Sequence, residues 1–175
     1  MTVLRRMEGL FYRSVPADRV AEVLAPPRPD SAGRYHRPGQ ATLYMSPSLE
    51  WATIAVSGYI REDGIVRVVV PLRVGMAQVL DQHDAAACRL LGSDREHSNI
   101  PWRRELAAGR EPPSWRNADA ARRAGADGII DRSRMIPGGW HLNLFRWNAL
   151  GGPAVTVCGE PTPITLSANG AKWSL

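Results

Sequence analysis

The feature that most constrains this chain is the run Ile65-Val66-Arg67-Val68-Val69-Val70, nearly all apolar before Pro71 and continuing to Val74. A short apolar run bounded by turn residues suits a central strand, so the chain must build a sheet around it. No apolar run approaches the roughly 20 residues of a membrane helix. Further strands are expected at residues 10–15, 41–46, 128–131, 140–147 and 153–158. Ser46-Pro47 has the form of a helix N-cap followed by proline at the first helical position. The helix it opens runs through Leu49, Ala52, Ile54, Ala55 and Val56 to the Asp63-Gly64 turn. Two more helices are expected at 84–91, stopped by Gly92, and at 114–124, stopped by Gly125. Residues 25–40 read as a loop, 93–115 as an irregular excursion, and the final residues show no pattern. With 175 residues and no repeat or linker, this is one α+β domain over 1–175 with a mixed or antiparallel sheet.

The charge is basic, 22 cationic against 17 anionic residues, and Lys172 is the only lysine. An arginine-borne excess points to an anionic partner, whether nucleic acid, acidic protein or phosphorylated small molecule. It also arises from an arginine- and alanine-rich proteome. Several chemistries find no support. A Walker A loop lacks its lysine, no G-x-G-x-x-G follows a strand, and no G-x-S-x-G occurs. Cys88 and Cys158 are too few for a disulfide framework, and no Cys/His cluster has metal-ligand spacing. Arg5, Arg6 and Glu8 interrupt any signal-peptide core, so a soluble, cytoplasmic protein without metal is expected.

Three stretches stand out in order: Phe11-Tyr12-Arg13; Gly33-Arg34-Tyr35-His36-Arg37-Pro38-Gly39 leading into Leu43-Tyr44-Met45-Ser46; and Gly128-Ile129-Ile130-Asp131-Arg132-Ser133-Arg134, followed by Gly138-Gly139 and Leu142-Asn143-Leu144-Phe145-Arg146-Trp147. Together they resemble the RES-domain family, over about residues 10–147, with the section after Gly92 matching poorly. That family comprises toxins of bacterial toxin–antitoxin modules encoded beside an Xre-like antitoxin. The resemblance implies a fold similar to ADP-ribosyltransferase toxins and an enzyme that uses NAD as substrate. It cleaves the nicotinamide–ribose bond and passes ADP-ribose to a protein target, water or phosphate. Nucleic acid would be reached only through the antitoxin, and no membrane is involved. The step passes through an oxocarbenium-like state, as glycoside cleavage does, and the pyrophosphate suits a guanidinium fork.

On this sequence the family arginine falls on Arg34, assigned to the NAD phosphates rather than to a solvated loop. Tyr44 matches a family tyrosine that stacks on nicotinamide or ribose; otherwise it is a half-buried strand aromatic. Ser133 matches the family serine, able to hydrogen-bond phosphate or ribose. Arg13 ends the first strand, as a ligand-binding arginine or a surface ion pair. Asn143 orients the ligand or satisfies a strand edge. The family glutamate is expected eleven residues after Tyr44, and position 55 is alanine.

No nearby carboxylate replaces it simply. Glu50 lies about 140° around the helix from residue 55, and Glu62 about 10.5 Å further along its axis. Three explanations follow. A displaced carboxylate such as Glu50 acts; the chain is a degenerate member that binds NAD or the antitoxin without turnover; or Ala55 is an introduced Glu→Ala change. Two alternatives from other classes stand beside the enzyme. One is a basic nucleic-acid-binding module using Arg103-Arg104, Arg110, Arg116 and Arg122-Arg123 with Trp102 and Trp115 interleaved. The other is a catalytically dead, antitoxin-binding pseudoenzyme.

Overall fold

The computed structural model describes residues 3–167 and 170–172. The apolar run becomes β3 (Arg67–Asp81), and β1 (Arg5–Pro16) pairs antiparallel along almost its whole length, from Arg5↔Val79 to Pro16↔Arg67. This pairing extends both strands beyond residues 10–15 and 65–74, while Ile65 and Val66 themselves fall outside and are exposed. The register slips by one residue between Met7 and Gly9, where Gly9 takes φ +133°. Across the other edge of β3 lie β4 (Gly128–Arg132), parallel, and two short antiparallel strands, β6 (Val155–Val157) and β7 (Thr162–Pro163).

Beyond β4 come β5 (Trp140–Leu144) and β2 (Leu43–Met45), giving the order β1-β3-β4-β5-β2. The sheet is therefore mixed, with one parallel pair, and the class is α+β. Its ends meet: Tyr12 and Ser46 exchange two backbone hydrogen bonds of 2.8 Å, so β2 returns to β1 and the sheet curls into a partly closed barrel. β8 (Thr165–Ser167) and β9 (Gly170–Lys172) form a separate hairpin, and residues 173–175, part of the patternless end, lie outside the described residues.

Proline interrupts β3 without breaking it. The Cys158 N–H donates to the Pro71 carbonyl at 3.0 Å, so that residue's backbone faces away from β1, into the gap between β7 and β6. No neighbouring strand asks for the missing amide there.

Helix α1 (Leu49–Asp63) lies against β1 and β3. Its N-cap is Ser48, whose hydroxyl accepts the Trp51 N–H at 3.1 Å, and not Ser46 as the Ser-Pro pattern suggested. Ser46 is held instead in the bridge to Tyr12, and Pro47 falls before the helix. α2 (Ala85–Leu91) is capped by Asp84 and ended by Gly92 at φ +69°, as read. The segment read as an irregular excursion contains α3 (Arg95–Asn99) and α4 (Trp102–Ala107). α3 is held by α5 (Ser114–Arg123), which supplies Asn117, whose amide donates to the Asp94 carbonyl and to Ser98 Oγ. A 3-10 turn over Ala17–Glu22 was not anticipated either.

One apolar cluster fills the curl of the sheet, with Phe11, Leu43, Val70, Leu72, Leu142 and Leu144 at its heart. A second lies between the sheet and α2 and α5, around Leu80, Ala118, Ala121, Ile129 and Phe145. Among the described residues no helix is long and apolar enough to cross a membrane.

Candidate active site

Where the curled sheet leaves its open mouth, a cavity of about 540 Å³ runs beneath α1. β1 contributes Tyr12, Arg13 and Ser14; the loop before β2 contributes Gly33, Arg34, Tyr35 and His36; β2 and its end give Tyr44, Met45 and Ser46. α1 presents Ala52, Ala55, Val56 and Tyr59, the i, i+3, i+4, i+7 spacing of one helical face. Asp131, Ser133 and Arg134 come from β4 and the turn after it, and His141 and Asn143 from β5. Trp102 and Arg103 of α4 stand at the mouth. A second cleft of about 530 Å³ adjoins it, sharing Arg34, Ala55, Tyr59, Trp102, Arg103 and Met135. Each volume lies in the range of ligand sites.

All six positions singled out from the sequence (Arg13, Arg34, Tyr44, Ala55, Ser133 and Asn143) line this one cavity. The Arg34 guanidinium donates to two backbone carbonyls, Ser98 at 2.7 Å and Ile100 at 3.2 Å. Arg134 donates to the same Ser98 carbonyl and forms an ion pair with the buried Asp131 at 3.0 Å. Burial, then repulsion from Arg134, pulls the Arg34 pKa below its ordinary value. Arg13 donates to the Tyr44 carbonyl at 3.0 Å, its Nε has no partner, and burial lowers its pKa to about 10 against the favourable influence of Tyr44. So Arg13 is no surface ion pair; it ties β1 to β2 beside the cavity.

The Tyr44 hydroxyl accepts the Tyr35 N–H at 3.0 Å, which leaves its proton for His36 Nδ1 at 2.8 Å. Burial, then Arg122 and Arg13, pushes His36 down to about 4, so the ring is neutral at pH 7 and able to accept that proton. Burial likewise raises the Tyr44 pKa, keeping the phenol protonated. Ser133 Oγ accepts the N–H groups of Met135 and Ile136 at 3.3 and 3.1 Å, pinning the turn after β4 while its own proton stays available. Asn143 is buried, donating to the Ile129 carbonyl at a long 3.5 Å.

Five arginines and a single carboxylate line the main cavity. Arg67, Arg103 and Arg134 are paired with Asp63, Glu62 and Asp131. Arg13 and Arg34 donate only to carbonyl oxygens, so their full charges stand unneutralised beside the cavity. The arrangement suits an anion, and guanidinium forks suit phosphate oxygens. Sequence reading did not single out His36, His141, Asp131 or Arg134 as lining residues; the histidines stand on separate segments with no motif to join them. His141 Nδ1 lies 2.8 Å from Ser46 Oγ, and burial lowers its pKa. Among the described residues no three His, Cys, Asp or Glu side chains are grouped to hold a metal.

The sequence matches the RES domain family over residues 3–167. The chain belongs to the RES-domain family. Among solved structures, a chain of the M. tuberculosis MbcT–MbcA toxin–antitoxin complex has a similar fold, with a TM-score of 0.64 and 14% identity. The alignment covers 93% of this chain and 87% of that one. No curated protein matches this sequence.

The RES-domain match extends beyond residues 10–147 at both ends. Ala55, where the resemblance leads one to expect a glutamate, lines both cavities. Glu50 sits in the first turn of α1, exposed and outside the lining of either cavity, so as placed it does not stand in for a carboxylate at 55. Glu62 borders the second cleft, where it accepts from Arg103 at 3.2 Å. Two of the residues proposed for nucleic acid are engaged within the fold. Trp115 is buried with its indole N–H on the Gly33 carbonyl at 2.8 Å, and Arg122 lies over Phe145 and donates to the Tyr35 carbonyl.

Proposed function

We propose that this RES domain is the toxin of a toxin–antitoxin pair, that its main cavity binds NAD, and that the site is built to cleave the nicotinamide–ribose bond. The observation that carries the reading is the pair Arg13 and Arg34. They are the cavity arginines without a carboxylate, and they stand beneath a helix whose residue 55 opens onto the same space. In this reading Arg34, backed by Arg13, holds the pyrophosphate. Anion binding would replace the carbonyls of Ser98 and Ile100 as acceptors for Arg34, relieving the crowding of two guanidinium groups at one oxygen.

Tyr44, fixed by Tyr35 and His36, presents its ring to nicotinamide or ribose. Ser133 donates its free proton to phosphate or ribose, and Asn143 orients the ligand from β5. Cleavage leaves positive charge on the ribose, which a carboxylate at position 55 would stabilise. Alanine cannot, so this chain binds NAD and turns it over poorly. An Xre-like antitoxin is the expected partner, and ADP-ribose would pass to protein, water or phosphate.

Ala55→Glu tests the reading. A single electrostatic group of this kind is worth about 100-fold or more in rate, so NAD consumption should rise by at least that factor. Chromatography of nicotinamide release measures it, and labelled NAD in cell lysate separates protein transfer from hydrolysis or phosphorolysis. A glutamate variant as inert as the alanine chain sinks the catalytic assignment. An absence of NAD binding heat would instead leave an antitoxin-binding pseudoenzyme with a closed cleft.

A further inference from the structure

We propose that the second cleft is the purine subsite for the dinucleotide, with adenine stacked on the wall formed by Tyr59, Arg103 and Trp102. The inference rests on the NAD reading of the main cavity and adds where the other half of the ligand goes. The two cavities share Arg34, Ala55, Tyr59, Trp102, Arg103 and Met135 in their lining, so a ligand whose phosphates meet Arg34 has a continuous wall from the main cavity into the second cleft. The main cavity presents hydrogen-bonding groups, Ser46, His141 and Asn143, suited to a ribose and a carboxamide.

Where the main cavity opens into the second cleft, the shared wall presents flat faces. The Arg103 guanidinium lies 4.2 Å from the Tyr59 ring centroid and 5.6 Å from that of Trp102. Glu62, one turn beyond Tyr59 on α1, accepts from Arg103 at 3.2 Å and fixes the plane of the guanidinium. Met135, 54% exposed, adds a soft apolar contact to the same cleft. Aromatic rings and a planar cation are the surfaces on which a nucleobase stacks, whatever its hydrogen-bonding edge. Trp102 and Arg103 belong to α4, and Tyr59 belongs to α1.

Because alanine at 55 slows turnover, binding is measurable by calorimetry on the chain as it stands. The probes are NAD and nicotinamide mononucleotide, which lacks the adenylate half. Trp102→Ala should weaken NAD about tenfold, the worth of one stacked base, and leave the mononucleotide unchanged. Trp102→Phe, which keeps a flat ring, should restore most of the loss. Arg103→Gln, an exposed change outside the core, should weaken NAD selectively and carries the test if Trp102→Ala fails to fold. Equal losses for both ligands, or no loss for NAD, would overturn the subsite while NAD binding itself stands. No binding of NAD to the unsubstituted chain would overturn the subsite together with the reading it rests on.

Discussion

Gly33 shows how a single close approach fixes a residue. A Cβ there would stand 2.4 Å from His36 Cε1 and 2.6 Å from both His36 Nδ1 and the Tyr44 hydroxyl. Only hydrogen fits between the loop and the Tyr44–His36 pair that shapes one side of the cavity. Gly33→Ala should therefore cost about 1–3 kcal/mol of stability by overpacking and displace the phenol. A thermal melt together with NAD calorimetry checks both effects, and an unshifted melt with unchanged affinity contradicts the argument. The same scale decides the arginines. Arg34 and Arg134 both donate to the Ser98 carbonyl, but only Arg134 has a carboxylate within reach. Sequence distinguishes these two residues by motif; the structure distinguishes them by charge balance.

α1 carries residue 55, so the helix start sets where that side chain points. The Ser-Pro signature at 46–47 and the actual cap at Ser48 differ by two residues, about 200° of helical rotation if the cap alone defined the face. The face survives because α1 docks on β1 and β3, and that docking, not the cap, turns Ala52, Ala55, Val56 and Tyr59 toward the cavity. Ser48→Ala should lower stability by about 1 kcal/mol through loss of the cap to Trp51. Ser46→Ala should leave helix content alone and free His141, whose Nδ1 partner is that hydroxyl. Chemical denaturation of the first variant and the imidazole NMR titration of the second separate these outcomes. Two short helices in the excursion were invisible for a related reason. Asn117 holds the first of them, α3, from 19 and 23 residues away, through Ser98 and Asp94, and no local pattern records such a bond.

Over the whole molecule 11 of the 21 arginines stand in ion pairs, with Arg5–Asp81, Arg37–Asp119, Arg110–Glu105 and Arg146–Asp127 joining those at the cavity. About half of the arginine charge is thus tied to carboxylates, and the unpaired share at the cavity is Arg13 and Arg34. Buried His36 and half-buried His141 couple this site to acid. His36 has an ordinary pKa of 6.5 and is lowered to about 4 on folding, so between those values the unfolded chain binds the proton and the folded chain does not. Stability is whole above pH 6.5 and falls as pH drops toward about 4, by an order of 3 kcal/mol for this residue alone. His141, lowered in the same direction, adds to it. Urea unfolding at pH 7 and pH 5 should show the loss, and His36→Gln should flatten its slope; a stability independent of pH across this window contradicts the assignment of a neutral, buried His36.

By itself the sequence determined the central strand, the Gly92 stop, the helix that bears residue 55 and the family motifs. Each of these is written in neighbouring residues, as apolar periodicity, a cap or a short signature. It also singled out position 55, where the resemblance leads one to expect glutamate and the chain carries alanine. Only the tertiary structure decided that Tyr12 and Ser46 close the sheet into a curl, which brings Arg13, Tyr44 and Asn143 into one cavity. It likewise decided that His36, His141, Arg134 and the Tyr59–Arg103–Trp102 wall belong there. These residues meet through strand pairing and helix packing across long separations in the chain, and such encounters leave no periodicity for a sequence to display.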